Sequence, residues 1–464
     1  MLLTEEQRFT LIAVCITSFL TPFTGSAINI AIPAIGKDIG ANIVALTWIS
    51  TSFMLASAAL LLPVGSMADI KGRKPIFMAG IAIFGLTGLV GGLARTSSLL
   101  LAMRVLQGMG GALIFSTGMA ILTAVTPPGM RGKFLGINSA VVYVGVSVGP
   151  VLGGFITHYL GWRYIFFFIT FLTLVALLAA TRIKTDVAPG KMTGFDLAGA
   201  AFYTSGLVAL MYGLSIIATA AMGKWLLGLG VVLLALFVYR ELNSESPLIE
   251  LRVLLRNRSF AFSNLAAFIN YMATSGVTFL LSIYLQMVKG LSAQAAGMVM
   301  LSQPVIMALV SPYSGRMSDK VEPQIVATWG MALTMVGLIM YQFVNRDTSL
   351  IYVAITLVVM GLGFGLFASP NNNAVMSSVP AHQYGIASST LSTMRLVGQS
   401  FSMTVVALII GAVMGKVKID AAEIGPFLLS MRLILGLFAV TCVGGIFASL
   451  ARGTIHAEPD RLKG

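Results

Sequence analysis

The chain has 464 residues, of which 57% are hydrophobic and only 10% charged, with a mean hydropathy of +0.93. A water-soluble domain carries about 25% charged residues, so this composition excludes one and makes the bilayer the solvent. The formal charge of +13 is the excess that cytoplasmic loops of membrane proteins collect and not a nucleic-acid signal, and the two cysteines, Cys15 and Cys442, lie inside apolar runs and suggest neither a disulfide framework nor a zinc site.

A span needs about 20 largely apolar residues. The sequence supplies fourteen such segments, near 9–34, 46–68, 76–94, 99–122, 134–157, 164–182, 195–217, 222–240, 260–287, 295–314, 324–343, 348–368, 386–414 and 428–450. Their continuity, without apolar–polar alternation, predicts helices and excludes barrel strands. The first run is too long for a signal-peptide core and lacks a strongly basic leader, so it is expected to remain as the first span. With the N-terminus inside, about twice as many Lys and Arg fall on the inner side as on the outer, which predicts both termini in the cytoplasm.

Span 2 ends in Gly65-Ser66-Met67-Ala68-Asp69-Ile70-Lys71-Gly72-Arg73-Lys74, and the string returns as Gly315-Arg316-Met317-Ser318-Asp319-Lys320, 250 residues later. This marks an internal duplication. Six helices and a loop occupy about 185 residues at this span length, so the offset leaves room for two further helices. Segments 7 and 8 are read as that insert. The linker from Glu245 to Phe260 follows, with Leu248, Leu251 and Leu255 at helical spacing among Arg252, Arg256 and Arg258. It reads either as a helix on the inner membrane surface or as a simple basic connector.

Three motifs carry chemistry. In the span 2 loop, Gly65 and Gly72 are expected to permit close approach and a tight turn, Arg73 and Lys74 to face the cytoplasm, and Asp69 to hold a neighbouring helix N-terminus or Arg as a latch. Span 4 holds Leu100-x3-Arg104-x2-Gln107-Gly108-x-Gly110, and an arginine inside a span must face protein or a wet cavity. Span 5 holds Gly136, Gly145, Gly149-Pro150 and Gly153-Gly154, a glycine density that suits touching backbones and a bend at Pro150.

Together these strings resemble the signature motifs of the major facilitator superfamily, and the fourteen spans resemble its drug:H+ antiporter branch. Phe23–Pro33, Pro247–Phe260 and Gly361–Gly398 also look like that branch, so the resemblance covers the whole chain. It implies an all-α integral membrane fold of two pseudo-symmetric six-helix bundles plus a two-helix insert. The bundles would cover 1–184 and 259–464, the latter with a short tail, with the insert and its linkers at 185–258. It further implies a central cavity, alternating access with span 5 as a hinge, and gating roles for Gly65, Asp69, Gly72, Arg73, Arg104, Gln107, Gly145, Gly149, Pro150, Gly153, Gly154 and Asp319. A plasma or inner membrane location, a monomer, no cofactor, a small-molecule solute and proton coupling complete the expectation.

The sequence departs from the branch in three respects: Met67 and Ile70 stand where a Leu and a basic residue are common, the copy at Gly315–Lys320 lacks the terminal Gly-Arg pair, and an acid of the first span is missing. Five positions before Asn29, in the string Asn29-x-Ala31-x-Pro33, many members carry an acid, and here Thr24 stands in its place. None of the sixteen acids falls near the middle of a span. A deep carboxylate is therefore not expected to carry the proton, leaving Asp69, Asp196 and His158 as weak candidates. The spans instead carry neutral or positive polar faces. In span 13, Ser388, Ser392, Arg395, Gln399 and Ser402 share one helical face; Thr17, Thr21 and Thr24 do so in span 1, and Asn264, Tyr271, Ser275, Thr278 and Ser282 in span 9. Span 12 is read as ending at Ser369-Pro370-Asn371-Asn372-Asn373. Arg395, Gln399, Asn29, Asn270, Tyr271, Asn372 and Thr24 are the expected solute-contacting residues, and the arginine favours a carboxylate, a phosphate or an acceptor-rich neutral solute over a cation.

The leading expectation is a secondary exporter of amphipathic organic solutes. Uptake or facilitated diffusion of a metabolite or organic anion is the alternative, and a membrane scaffold or sensor the reading from another class. Nothing favours an enzyme: His158, His382 and His456 are scattered, and no Gly-x4-Gly-Lys-Ser/Thr string supports ATP use.

Overall fold

A computed structural model describes residues 4–126, 130–184, 194–244, 247–249, 251–318, 320–380, 383–415, 417 and 423–453. Among them every regular element is helical, and fourteen helices are long and apolar enough to cross a membrane. In chain order the helices are α1 (Glu5–Ile39), α2 (Ile43–Lys71), α3 (Arg73–Gly92), α4 (Ser97–Val125), α5 (Arg131–Tyr159), α6 (Arg163–Thr181), α7 (Leu197–Ile216) and α8 (Met222–Asn243). A short α9 (Leu251–Arg256) precedes α10 (Arg258–Ile283), α11 (Ala293–Met300), α12 (Ser302–Ser318), α13 (Pro323–Met340), α14 (Leu350–Ser377), α15 (Tyr384–Val413) and α16 (Ile424–Ala451). Helices α11 and α12 form one span interrupted at Leu301, and α10 runs on into a π-turn, Tyr284–Val288.

Local signals set the ends. Thr4 closes a capping box with Gln7, and Asn42, Thr96, Asp196 and Ser349 each accept from a first-turn amide of the helix that follows. Gly72 separates α2 from α3 at φ 95°, a conformation that β-carbon sterics deny other residues. At the other end of the chain, Arg452, Gln324 and Arg258 bond the successive carbonyls of Ser449, Leu450 and Ala451, the orphan acceptors of the last turn of α16. Burial lowers the Arg452 pKa to about 10, which leaves it cationic at neutral pH and suited to the negative helix end.

The chain divides into two compact units. The first holds residues 1–248 with 282–298 and 416–419, the second the remainder. The insert is part of the first: Tyr203 and Thr204 of α7 donate to the carbonyls of Ala58 and Ala59 of α2, and the Trp48 and Tyr212 rings meet edge to face. Helices α7 and α8 form a hairpin so close that a β-carbon on Gly213 would stand 2.5 Å from the Leu227 nitrogen.

Each unit repeats one packing scheme. In the first, a β-carbon on Gly108 would stand 2.4 Å from the Phe53 carbonyl of α2, and one on Gly110 2.9 Å from the Phe84 nitrogen of α3. In the second, Gly361 meets the Gln303 carbonyl at 2.5 Å and Gly363 the Thr334 nitrogen at 2.6 Å. Two glycines, two residues apart, thus let one helix lie against two neighbours in both halves. The duplication legible in the loops extends into the bundles.

Two sequence expectations change here. Helix α14 does not stop at Ser369 but continues through Pro370 to Ser377. Asn373 lies within it and donates to Ser318, so the amide-rich string is helical throughout. The basic linker forms α9, whose Val253 and Leu254 pack on a buried cluster including Phe260, Val379 and Leu391, while Arg252, Arg256 and Arg258 remain exposed. It is an amphipathic turn seated on the second unit.

Candidate functional site

In the second unit, α15 lies against α10 with almost no side chain between: a β-carbon on Gly398 would stand 2.6 Å from the Phe268 carbonyl. One turn before, the Arg395 guanidinium carbon sits 4.9 Å from the centre of the Tyr271 ring. The edge of Tyr271 meets Phe364 of α14 at 5.4 Å with the planes at 83°, and Phe268 meets Phe401 at 6.1 Å. A cation over an aromatic face gains ~0.5–2 kcal/mol, more as water is removed. The Arg395 Nε is buried and has no hydrogen-bond partner among the described residues.

Accessibility runs in matching stripes. On α10, Phe268, Tyr271, Ser275 and Thr278 are half-buried at steps of three and four residues, while Ala267, Met272 and Ala273 beside them are buried. On α15 the predicted face grades from exposed Ser388 through half-buried Ser392, Arg395 and Gln399 to fully buried Ser402. Ser402 accepts from the Gly276 nitrogen at 2.9 Å and so closes that end of the stripe. It serves as an interhelix clasp, a use the helical spacing did not reveal.

The remaining predicted solute residues are distributed differently. Asn372 is half-buried on α14. Asn270 is fully buried and points its amide at the Met331 sulfur of α13 at 3.5 Å, away from the stripe that holds its neighbour Tyr271. In the first unit, Asn29 accepts from Ser50 of α2 at 2.6 Å, an interhelix contact 3% exposed. Thr24 is fully buried, with its hydroxyl unpartnered among the described residues. Thr17 and Thr21 bond backbone carbonyls of their own helix. The structure brings Arg395, Gln399 and Tyr271 onto one accessible face and leaves Asn29, Thr24 and Asn270 inside packed helices.

Of the residues expected to gate, Arg104 is buried, with Nε on the Ile49 carbonyl at 3.0 Å, Nη1 on Gln107 at 2.6 Å and its carbon 4.3 Å from the Phe53 ring centre. It faces protein, as its cost in lipid requires. Asp69 takes two bonds from Arg73, at 2.9 and 2.7 Å, across the Gly72 turn. This pair is local and part-exposed, worth ~0–1 kcal/mol, and holds the α2–α3 turn. Gly65 was expected to allow close helix approach, yet a β-carbon there would meet nothing nearer than Ser116 at 3.9 Å, an ordinary contact. Asp319 lies outside the described residues.

On α5, β-carbons at Gly145, Gly149 and Gly153 would stand 2.7 Å from the Phe19 carbonyl, 1.8 Å from Ser26 Oγ and 2.7 Å from Ala27 Cα, all on α1. At Gly154 one would reach the Ala293 carbonyl of α11 at 2.4 Å, and Gly297 of α11 packs on the Pro150 carbonyl. Gly136, by contrast, has open space.

Two acids need comment. Asp196 caps α7 through the Gly199 amide and takes Arg240 Nε at 2.7 Å, so it ties the hairpin of the insert. Glu241, next to Arg240, lies inside α8 and is 3% exposed, one residue past the end expected for this span. Among the described residues neither this helix end nor any span middle forms a metal-binding cluster.

The Major Facilitator Superfamily pattern matches residues 14–403. The chain belongs to that family. Among curated relatives, the riboflavin transporter RibZ of Clostridioides difficile (strain 630) is 31% identical over 84% of this chain and 85% of its own length. The multidrug resistance protein Stp of Mycobacterium tuberculosis (strain ATCC 25618 / H37Rv) is 28% identical over 88% of this chain and 76% of its own. Among solved structures, a bacterial homolog of the human lysosomal transporter Spinster superposes with a TM-score of 0.71 at 17% identity, covering 96% of this chain and 97% of that one, which speaks to the fold alone. The chain is thus a multi-pass facilitator-superfamily transporter of small solutes and not an enzyme, with multidrug-type relatives as the motif pattern implied.

Proposed function

We propose that this transporter exports amphipathic organic solutes by alternating access from a plasma or inner membrane, as a monomer with both termini cytoplasmic, and that the Tyr271–Phe364–Arg395–Gln399 face is where the solute touches the second unit. The supporting observation is the Arg395 Nε, buried and without a partner in a span that carries no acid. A buried unsatisfied donor costs ~1–3 kcal/mol, and a solute acceptor repays it. The likeness to a multidrug resistance protein favours export. The stronger likeness to a riboflavin transporter favours a second reading, movement of a vitamin-type solute in either direction, which reversible alternating access permits. Proton coupling follows the family expectation; with Thr24 in the acid's place its carrier is an atypical group, or the solute itself. The test is flux in proteoliposomes of purified protein, with riboflavin and a fluorescent drug as solutes, with and without an imposed pH gradient. Arg395→Ala is expected to abolish flux while the protein still elutes as a folded species. Full flux in that variant removes the assignment of this face.

A further inference from the structure

The same face supports a narrower statement about what it accepts, one that rests on the solute-binding reading above. Helices α10, α14 and α15 contain no Asp or Glu at all, so the three helices that meet at Arg395 offer its charge no counter-ion. Its compensation is electronic: the guanidinium lies over the Tyr271 ring, which Phe364 braces edge-on. The guanidinium carries five N–H donors, and Nε has no partner among the described residues. A guanidinium donor next to aromatic rings reads two things in a ligand, an accepting oxygen and the ring itself. Half-buried Phe268 and Tyr271 on α10 line this face, with the backbone of α15 pressed against them at Gly398.

We propose that this face selects planar aromatic solutes that carry an anionic oxygen, and discriminates against hydrophobic cations. Arg395 pairs with the oxygen while Tyr271 and Phe268 take the ring. A cation of the same shape meets like charge with no carboxylate on these helices to offset it.

The test uses two dyes on one tricyclic scaffold, anionic fluorescein and cationic rhodamine 123, with cholate as a non-planar carboxylate. Binding to the purified full chain is read by fluorescence anisotropy, and cholate by competition. Fluorescein is expected to bind at least about tenfold more tightly than rhodamine 123, the scale of one charge-assisted hydrogen bond. Arg395→Gln is expected to erase that preference, Arg395→Lys to keep its sign with weaker binding, and Tyr271→Leu to weaken both dyes. Equal or tighter binding of rhodamine 123, cholate competing as well as fluorescein, an unchanged preference in Arg395→Gln, or no binding of fluorescein each overturns the proposal. The transport reading fails separately: an anion preference without flux in proteoliposomes leaves this selectivity standing and removes transport through this face. Arg395-dependent flux of a cation does the reverse.

Discussion

Replacing Gly153 by alanine tests whether the glycines of α5 are there for contact. The new methyl carbon would sit 2.7 Å from both Cα and Cβ of Ala27 and 3.1 Å from Ile30 Cγ2. Carbon atoms rest at about 3.5–4.0 Å, and two of these neighbours belong to an alanine with no rotamer to adopt. Helix α1 must therefore withdraw by about 1 Å. Overpacking of this kind costs ~1–3 kcal/mol, while alanine regains ~1 kcal/mol of helix propensity. Gly136→Ala supplies the control, since that site is open and receives only the propensity gain. Comparing the two cancels propensity and isolates contact, at ~1–3 kcal/mol in favour of the Gly136 variant. The assay is thermal melting of purified variants in one detergent, read by loss of the folded peak on size exclusion. Gly136→Ala is expected to melt at or above wild type and Gly153→Ala below it. If Gly153→Ala melts as high as Gly136→Ala, the backbone contact between α1 and α5 is not what the glycines provide.

Gln107→Leu removes the neutral acceptor that holds buried Arg104 at 2.6 Å, and a hydrogen bond to a charged group is worth ~1.5–3 kcal/mol; the folded yield of this variant should fall well below that of wild type in the same expression and extraction. Gly72→Ala forces an L-residue to φ 95° at the α2–α3 turn, a strain of about 1–3 kcal/mol, and should lower the melting temperature, whereas Gly65→Ala, with 3.9 Å of room, should not. Tyr203→Phe deletes the 3.0 Å bond to the Ala58 carbonyl that docks the insert on α2 and should cost about 1 kcal/mol in the same melting assay.

What the sequence made legible was what a single helix determines. Span length and apolar continuity gave the number of membrane-crossing helices, because the bilayer imposes a length on each independently. The i+4 spacing of Gly145, Gly149 and Gly153 marked one face of α5, and that face does carry the close contacts, while Gly136, nine residues before Gly145, falls off the stripe and touches nothing. Helical phase places Ser402 on the same face as Arg395, yet one residue is spent on the Gly276 amide and the other is accessible, because a neighbour closes over one end of the helix only. Phase cannot say where that neighbour leaves off. Pro370 misled for a related reason: proline disfavours a helix in water, but a membrane helix continues through it where adjacent helices supply partners for the freed carbonyl. Asn270 and Tyr271 show the same limit at one-residue resolution, since adjacent positions on α10 are about 100° apart and meet α13 and α15 respectively.

Thr24 stands where the resemblance to the antiporter branch leads one to expect an acid. Its hydroxyl is buried and unpartnered among the described residues, and it adds no negative charge to the first unit. Arg395 adds positive charge on helices that carry no acid. On the solute-binding reading proposed above, that arginine removes a reason for a cation to bind and creates one for an anionic oxygen. An anion that arrives protonated and leaves ionised carries its own proton, so a carrier with no acid on the helices that meet its solute can still be driven by a pH gradient. Under that coupling, flux should follow the protonation of the solute and not that of the protein. Two planar solutes of different acidity should then show rate profiles displaced from one another along the pH axis by the difference in their own pKa values, and a single profile common to both would place the titrating group in the protein.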